Sequence, residues 1–387
     1  MADEQLIEQL RKAEDAFAAK AEEISTCIFM HPEDGDQEFF SSKYLTDEIA
    51  KLGFKVTYPY MGIGTAFRCE LGEDDGPAVG FLAEYDALPG YGPDHNQMAH
   101  ACGHNWIAAS TFAACAALAG IKDQFHGKIV YIGTPAEETV GRKVDMAEKG
   151  AFDDLTAVFQ MHLDHDTAVN TVALAMTDFV FEFKGVAAHA SSNAQNGVNA
   201  LEACNLTMAG INALRQHLEP DVRVHYTVTN GGGAPNVVPE YASMAVFIRA
   251  GQKDYLEKVI EKVLNCARGA ELMTGAVFSY KRAQNTYYDI KRNEKLNTIM
   301  KLQLTELGIT DFREGDIYHA GSSDIGNVSY ACPTCYCEIG TGHVSDSNVH
   351  EEEYLKVVDS DEAHRLLHIA AKAMAGAALN VILGVEI

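Results

Sequence analysis

The stretch Gly80–Asn105 constrains the chain most, because an apolar strand there runs directly into a dense group of metal-ligand side chains. It reads G-F-L-A-E-Y-D-A-L-P-G-Y-G, then a short linker, then H-A-C-G-H-N. Cys102 and His104 are two residues apart, and in an extended chain residues at that spacing point to the same side. Thiolate and imidazole both suit Zn²⁺, and imidazole also suits other first-row divalent ions. The spacing therefore predicts that Cys102 and His104 bind one ion together, with further ligands supplied from elsewhere.

Two later strands of the chain also end in polar side chains. Residues 127–138 read G-K-I-V-Y-I-G-T-P-A-E-E, a buried strand that ends in Glu137 and Glu138, and a strand over 157–161 ends at His162. Strands that alternate with helices predict an α/β domain with a largely parallel sheet. Because ligand sites in such sheets form beyond the carboxyl ends of the strands, we expect these three side chains to join the first pair of ligands.

The pattern changes near residue 172 and changes back near residue 286. Between them the periodicity predicts strands over 177–183, 223–229, 241–249 and 276–282, with helices over 198–218 and 253–269. This β-α-β-β-α-β order is typical of a split βαβ, ferredoxin-like α+β sandwich. The sequence therefore predicts a discontinuous metal-binding catalytic domain, 1–172 and 286–387, interrupted by a smaller domain over 173–285.

Composition excludes several classes of function. The net charge of −25 disfavours nucleic acid, whose phosphates require a basic surface. The sequence contains no run of about 20 apolar residues, so we expect no membrane span. The acidic first residues do not resemble a signal peptide. Nine cysteines without a framework spacing indicate reduced thiols. We therefore expect a cytoplasmic protein that binds neither nucleic acid nor membrane.

A mixed set of Cys, His and Glu side chains from separate strand ends suits a two-metal hydrolytic site. Two ions about 3.5–4 Å apart can share a hydroxide and polarise a substrate carbonyl. Of two adjacent glutamates, one can be a ligand while the other acts as general base on the shared water. The C-terminal ligand is open between His343 and His350.

Several motifs, in order along nearly the whole chain, resemble the amidohydrolase branch of the M20 metallopeptidases, which includes p-aminobenzoyl-glutamate hydrolases and aminoacylase-like enzymes. They are E-Y-D-A-L-P, H-A-C-G-H-N, G-T-P-A-E-E, G-V-A-A-H-A, A-P-N-V-V-P, G-S-S-D-I-G-N-V-S and N-V-H-E-E-E-Y. The resemblance implies that the inserted domain is a lid through which a homodimer forms. It also implies two divalent ions per subunit, Zn²⁺ or Mn²⁺.

The resemblance assigns roles to individual residues as well. The implied metal ligands are Cys102, His104, Glu138, His162 and His350. N-V-H-E-E-E-Y thus favours His350 over His343. Glu137 matches the family's general base, and Asp86 matches a carboxylate that orients a ligand imidazole.

The resemblance also places functional residues in the lid. His189 matches a lid histidine that reaches the partner subunit's site and stabilises the developing oxyanion. Asn236 and Arg249, and more weakly His225, fall where the family binds a substrate carboxylate.

The leading hypothesis is a metal-dependent amidohydrolase that cleaves a small N-acyl amino acid, an aminobenzoyl-glutamate-like compound or a dipeptide-like substrate. An alternative on the same two-ion site is hydrolytic deamination of an amino-substituted aromatic acid. A different class is a non-catalytic, metal-binding regulatory protein. Glu137 beside the ligand set argues against that class, because a purely structural metal site needs no base.

Overall fold

The computed structural model describes residues 2–317 and 320–387 and divides into two compact units. The first unit comprises the described residues up to Val172 together with Ile290–Asp316 and Asn327–Ile387. The second comprises Ala173–Asp289 and the described residues between Ile317 and Gly326. The sequence placed the two boundaries at 172/173 and 285/286. The structure divides at the first position, but its second division falls four residues later, and a short segment near residue 320 also belongs to the second unit.

Twelve strands are present in the described residues. They are β1 Lys55–Thr57, β2 Phe67–Gly72, β3 Ala78–Ala83, β4 Leu88–Tyr91, β5 Gln97–Ala99, β6 Lys128–Gly133, β7 Ala157–Asp164, β8 Ala175–Lys184, β9 Arg223–Asn230, β10 Tyr241–Ala250, β11 Val277–Lys281 and β12 Thr334–Gly340. The α-helices in the same residues are α1 Glu4–Asp15, α2 Ala18–Phe29, α3 Phe39–Ala50, α4 His104–Ala119, α5 Arg142–Glu148, α6 Ala200–Leu214, α7 Lys253–Thr274, α8 Glu294–Glu306, α9 Ile325–Ala331, α10 Leu355–Val358 and α11 Asp361–Ile382.

The first unit is built on a six-stranded sheet in the order β1-β2-β6-β3-β7-β12. The four strands from β6 to β12 are parallel, and β1 and β2 add an antiparallel edge. Strands β3 and β7 are apolar and almost entirely buried, as expected where helices cover both faces of a parallel sheet. This sheet confirms the predicted α/β class. One detail differs: β7 continues to Asp164, so His162 lies within the strand instead of after it.

Helix α4 lies at the centre of the first unit. Fifteen of its residues are buried, and small side chains let it pack against α11, α2 and β3. Trp106 donates its indole N–H to the carbonyl of Ala363 in α11 at 2.8 Å. By length and composition alone α11 could cross a membrane, but 78% of its most apolar 18-residue window is buried within the protein. Burial in this core accounts for its apolar composition.

The second unit has a four-stranded antiparallel sheet in the order β11-β8-β10-β9. Helices α6 and α7 pack on each other and on this sheet, and together they enclose a core of their own. The chain order β8-α6-β9-β10-α7-β11 is that of a ferredoxin-like sandwich. This confirms the α+β insertion that the sequence predicts.

Candidate metal centre

Cys102 and His104 are joined by a sharp turn and not by extended chain. Gly103 between them has a positive φ of 77°, and His104 is the first residue of α4. The sequence argument from alternating side chains was therefore wrong in its geometry. The turn nevertheless brings the two ligand atoms, with one from His162 in β7, within 4.8 Å of one another. We call Cys102, His104 and His162 the buried triad.

Both histidines of the buried triad are oriented by hydrogen bonds from the ring nitrogen that faces away from Cys102. Nδ1 of His104 donates to Oδ1 of Asp86 at 2.8 Å, and Nδ1 of His162 donates to the carbonyl of Leu163 at 2.8 Å. Nε2 of His162 lies 3.4 Å from Sγ of Cys102. Such partners fix the ring orientation and the tautomer of histidines that bind metal.

A second set of possible ligands shares the same sulfur. Nε2 of His350 lies 3.3 Å from Sγ of Cys102 and 3.4 Å from Oε1 of Glu138. We call Cys102, Glu138 and His350 the exposed triad, because the His350 side chain is 53% exposed. Asp86 connects the two triads, since its Oδ2 accepts the backbone N–H of Glu138 at 2.9 Å.

The competing histidine, His343, lies elsewhere. Its Nε2 is 2.7 Å from Oε1 of Glu362, and its side chain is 57% exposed. The structure thus brings His350, and not His343, to the sulfur of Cys102.

Glu137 and Glu138 follow a residue in a strained conformation. Ala136 has a φ of 58°, which non-glycine residues seldom adopt. Its N–H donates to Oε1 of the fully buried Glu38 at 2.7 Å, and Oγ1 of Thr65 donates to the other carboxylate oxygen at 2.8 Å. Burial, with Asp86 nearby, raises the pKa of Glu38 to about 8. The turn directs a carboxylate oxygen of Glu137 to within 4.8 Å of ligand atoms of His104 and Glu138.

A buried ion pair lies beside the buried triad. Nζ of Lys143, which is fully buried, is 2.5 Å from Oε1 of Glu84, and Oε2 of Glu84 is 3.4 Å from Nε2 of His104. Burial opposes ionisation of Glu84, but Lys143 and His104 hold its pKa below the ordinary value. The buried carboxylate of Glu84 is therefore compensated by the positive charge of Lys143.

The donor atoms fit divalent cations. Oε1 of Glu138 is buried, and none of the residues that the structure describes donates a hydrogen bond to it, so a cation would satisfy it. Burial and the charge of Glu138 raise the pKa of the Cys102 thiol well above its ordinary value. A bound cation would reverse that effect and favour the thiolate. Sulfur, imidazole nitrogen and carboxylate oxygen together suit a first-row divalent ion.

Comparison with known proteins decides the family. The model of peptidase family M20/M25/M40 matches residues 80–374, which span both units. The chain belongs to this M20 family. The resemblance that the motifs indicate is confirmed, and with it the assignment as a hydrolase of amide bonds.

Two relatives match nearly the whole chain. The human Xaa-Arg dipeptidase is 33% identical over 405 residues, covering 98% of this chain and 90% of the relative. A p-aminobenzoyl-glutamate hydrolase polypeptide of Escherichia coli K12 is 29% identical, covering 96% of this chain and 92% of the relative. A Bacillus subtilis structure described as a dinuclear metal-binding peptidase of the M20 family superposes with a TM-score of 0.71 at 22% identity, covering 96% of this chain and 99% of that one. This M20 chain is accordingly a metal-dependent amidohydrolase or dipeptidase.

In the second unit, the lid residues predicted from the family resemblance lie in two places. His189 and Asn236 are neighbours: the carbonyl of Asn236 accepts the N–H of Ala190 at 2.9 Å, and both side chains are exposed. Arg249 and His225 lie at the opposite end of the four-stranded sheet. There they share one face, because Arg249 is two residues from Phe247, the strand partner of His225.

Sequence reasoning missed four residues of the site in the first unit: Glu38, Glu84, Tyr91 and Lys143. Glu84 carried a signal, since it lies two residues from Asp86 in the same motif. The other three carried none, because each reaches the site through contacts between segments that are far apart in sequence or through an unpredicted hairpin.

Proposed function

We propose that this M20 chain is a two-ion dipeptidase that hydrolyses the amide bond of a small dipeptide-like substrate with a cationic C-terminal residue. The observation that carries the proposal is the pair of triads sharing Cys102, with Glu137 beside them. Two ions, Zn²⁺ or Mn²⁺, would be held by the buried and the exposed triad. When bound, such ions activate water and polarise the scissile carbonyl.

Glu137 is the proposed general base. It adjoins the ligand Glu138, and its carboxylate lies within 4.8 Å of ligand atoms of His104 and Glu138. From there it would accept the proton of the attacking water and return it to the leaving amine. The hydrogen bond from Ala136 to Glu38 fixes the turn that aims this carboxylate.

Two arguments favour a cationic leaving residue. The human relative that matches 98% of this chain is an Xaa-Arg dipeptidase. Independently, the net charge of −25 attracts cations and repels a dianion such as p-aminobenzoyl-glutamate. The charge therefore supports the dipeptide over the aminobenzoyl-glutamate substrate, although relatives of both kinds match the chain.

The assembly and location are also proposals. We infer a cytoplasmic homodimer that forms through the second unit and binds neither nucleic acid nor membrane. His189 would stabilise the oxyanion in the partner's site, and Asn236, Arg249 and His225 would contact the substrate. The nine free cysteines and the acidic charge support this location.

A product-release assay tests the proposed reaction. Purified protein loaded with Zn²⁺ or Mn²⁺ is given Ala-Arg, Ala-Glu, N-acetyl-arginine, p-aminobenzoyl-glutamate and p-aminobenzoic acid, and free amino acids and ammonia are both quantified. Release of arginine from Ala-Arg with the highest kcat/KM, falling as salt is raised, is the expected result. Ammonia as the main product would establish the deaminase instead. No turnover of any amide by the two-ion protein would favour the regulatory class.

A further inference from the structure

His350 differs from the other two histidines of the centre in how it is held. It lies in an irregular segment between β12 and the helical turn that begins at Glu352, and it has a positive φ of 71°. A left-handed conformation costs free energy for a residue other than glycine, and it persists only where the surroundings enforce it. His350 therefore needs contacts that maintain its backbone.

Those contacts are two hydrogen bonds made by the backbone of His350, one with the backbone of Ala101 and one with the side chain of Tyr91. The N–H of His350 donates to the carbonyl of Ala101 at 2.8 Å, next to the shared ligand Cys102. The carbonyl of His350 accepts from the hydroxyl of Tyr91 at 2.8 Å. Tyr91 ends β4, in the hairpin β4–β5 that connects Asp86 to Cys102.

The ring of His350 lacks the kind of partner that orients the buried triad. His104 and His162 each donate an Nδ1 hydrogen bond to a fixed oxygen. For His350, the part of the chain that the structure describes contains no such bond to Nδ1. The position of the ring therefore depends on its Nε2 contacts with Cys102 and Glu138 and on the backbone of His350, which Tyr91 and Ala101 hold.

We propose that Tyr91 is a positioning residue that holds His350 in its left-handed conformation and thereby sets the affinity of the ion in the exposed triad. The ion in the buried triad is independent of Tyr91. This inference rests on the proposed two-ion function. It makes the ion of the exposed triad the more easily exchanged of the two, and the hydroxyl of Tyr91 limits how easily that ion is lost.

Tyr91→Phe tests the inference, because it removes a single hydroxyl from a partly exposed side chain. Ions per chain are counted by elemental analysis after equilibration with graded concentrations of a chelator. The wild type should lose its ions in two steps. In the variant the first step should shift to about tenfold weaker binding, with the second unchanged. Excess metal should restore kcat, which a misfolded site would not allow.

The matched control is Tyr44→Phe in α3. The hydroxyl of Tyr44 donates to Glu23 at 3.1 Å, and neither residue belongs to a triad. This substitution should leave both steps unchanged. Double variants identify the affected ion. In a His104→Ala background, Tyr91→Phe should still weaken binding of the remaining ion about tenfold. In a His350→Ala background, the same substitution should weaken binding by less than twofold.

The outcomes separate this inference from the function on which it rests. A wild type that binds fewer than two ions would overturn both. The wild type could bind two ions while Tyr91→Phe weakens both ions equally, or weakens neither relative to the wild type. Either result would overturn only the role of Tyr91.

Discussion

The two units of the molecule hold their polar functional side chains in opposite ways. In the first, His104, His162 and Asp86 are almost fully buried, and each has an oriented hydrogen-bond partner. In the second, His189 and His225 are exposed, and among the described residues Nδ1 of His189 accepts hydrogen bonds from Ser191 and Ser192, two and three residues further along the chain.

This difference indicates where catalytic preorganisation resides. The first unit brings the proposed ligands and the proposed base together within one chain, and its sheet and helices fix His104 and His162, whereas His350 lies in an irregular segment. His189 and His225 of the second unit are exposed to solvent in the single chain. We therefore expect variants of the first unit to change metal binding and chemistry, and variants of the second unit to change substrate binding or turnover without changing the metal content.

The largest effect should come from Cys102, because its sulfur belongs to both triads. Cys102→Ala should lower the metal content and reduce turnover to background, as should removal of the ions with a chelator. Elemental analysis and the arginine-release assay measure the two effects. Cys266→Ala in the second unit, a partly exposed cysteine outside both triads, is the control and should change neither. Full activity in a verified metal-free preparation would refute the metal-dependent mechanism.

Glu137→Gln should separate binding from chemistry within the first unit. The amide cannot accept the proton of the attacking water, whereas Glu138 still binds metal. Loss of a general base typically lowers kcat by about 10²- to 10⁴-fold. The metal content should stay at the wild-type level, in contrast to Glu138→Gln, which replaces the proposed ligand carboxylate with a neutral, more weakly binding amide. A kcat within about threefold of wild type would mean that another group is the base.

In the second unit, His189→Ala should reduce kcat by roughly two orders of magnitude and leave both ions bound. The proposed homodimer would bring the exposed His189 of one subunit to the metal site of the other. Mixing His189→Ala with Glu137→Gln protein under subunit exchange should then restore activity, because a mixed dimer holds one intact site. If mixed dimers form and remain inactive, His189 acts within its own chain or has no catalytic role.

The same contrast explains what the sequence could predict. The strands at 78–83, 128–133 and 157–164 are rich in apolar residues, so their burial and the parallel sheet could be predicted from local pattern. The position of Glu137 and Glu138 beyond the second of these strands could be predicted in the same way, whereas His162 lies within the third. Ferredoxin-like order in the second unit followed equally from periodicity.

The sequence pattern did not predict the contacts between segments that are far apart in the chain. Glu38 reaches Ala136 across 98 residues, and nothing local marks an acidic residue near a helix start as a buried partner of a strained turn. Lys143 reads as a surface lysine at the start of α5, yet it is fully buried against Glu84. Pairing energies of this kind depend on the complete fold, and a pattern of neighbouring residues does not contain them.

The smallest expected effect concerns stability and again distinguishes the units. His368 in α11 lies between two carboxylates from other helices, with Nδ1 2.8 Å from Glu14 in α1 and Nε2 2.9 Å from Glu22 in α2. Lys372 also faces Glu14, at 3.3 Å. Burial alone would lower the pKa of His368, but the hydrogen bonds to Glu14 and Glu22 raise it above the ordinary value.

The sign of the pH dependence follows from that direction. A raised pKa means that the folded state binds the proton more tightly than the unfolded state does. The stabilisation is therefore complete below the ordinary histidine pKa of about 6.5 and is lost as the pH rises through the higher folded value. Between pH 6 and pH 9 the contribution of His368 to the unfolding free energy of the first unit should therefore decrease.

The fluorescence of Trp106 allows the pH dependence of stability to be measured for the first unit alone. Trp106 is the single tryptophan of the chain, and its indole is fully buried against α11, so its fluorescence follows the unfolding of that unit. Urea unfolding of wild type and His368→Gln is compared at pH 6 and pH 9, so that the titrating groups remote from His368 cancel in the difference. The stability advantage of the wild type should shrink as the pH rises. His364→Gln, one turn earlier on α11 and in contact with the single carboxylate of Asp359, is the control and should retain the wild-type pH dependence. Parallel pH profiles for wild type and His368→Gln would show that the two glutamates do not hold a protonated His368, and that α1 and α2 are fastened to α11 by apolar packing instead.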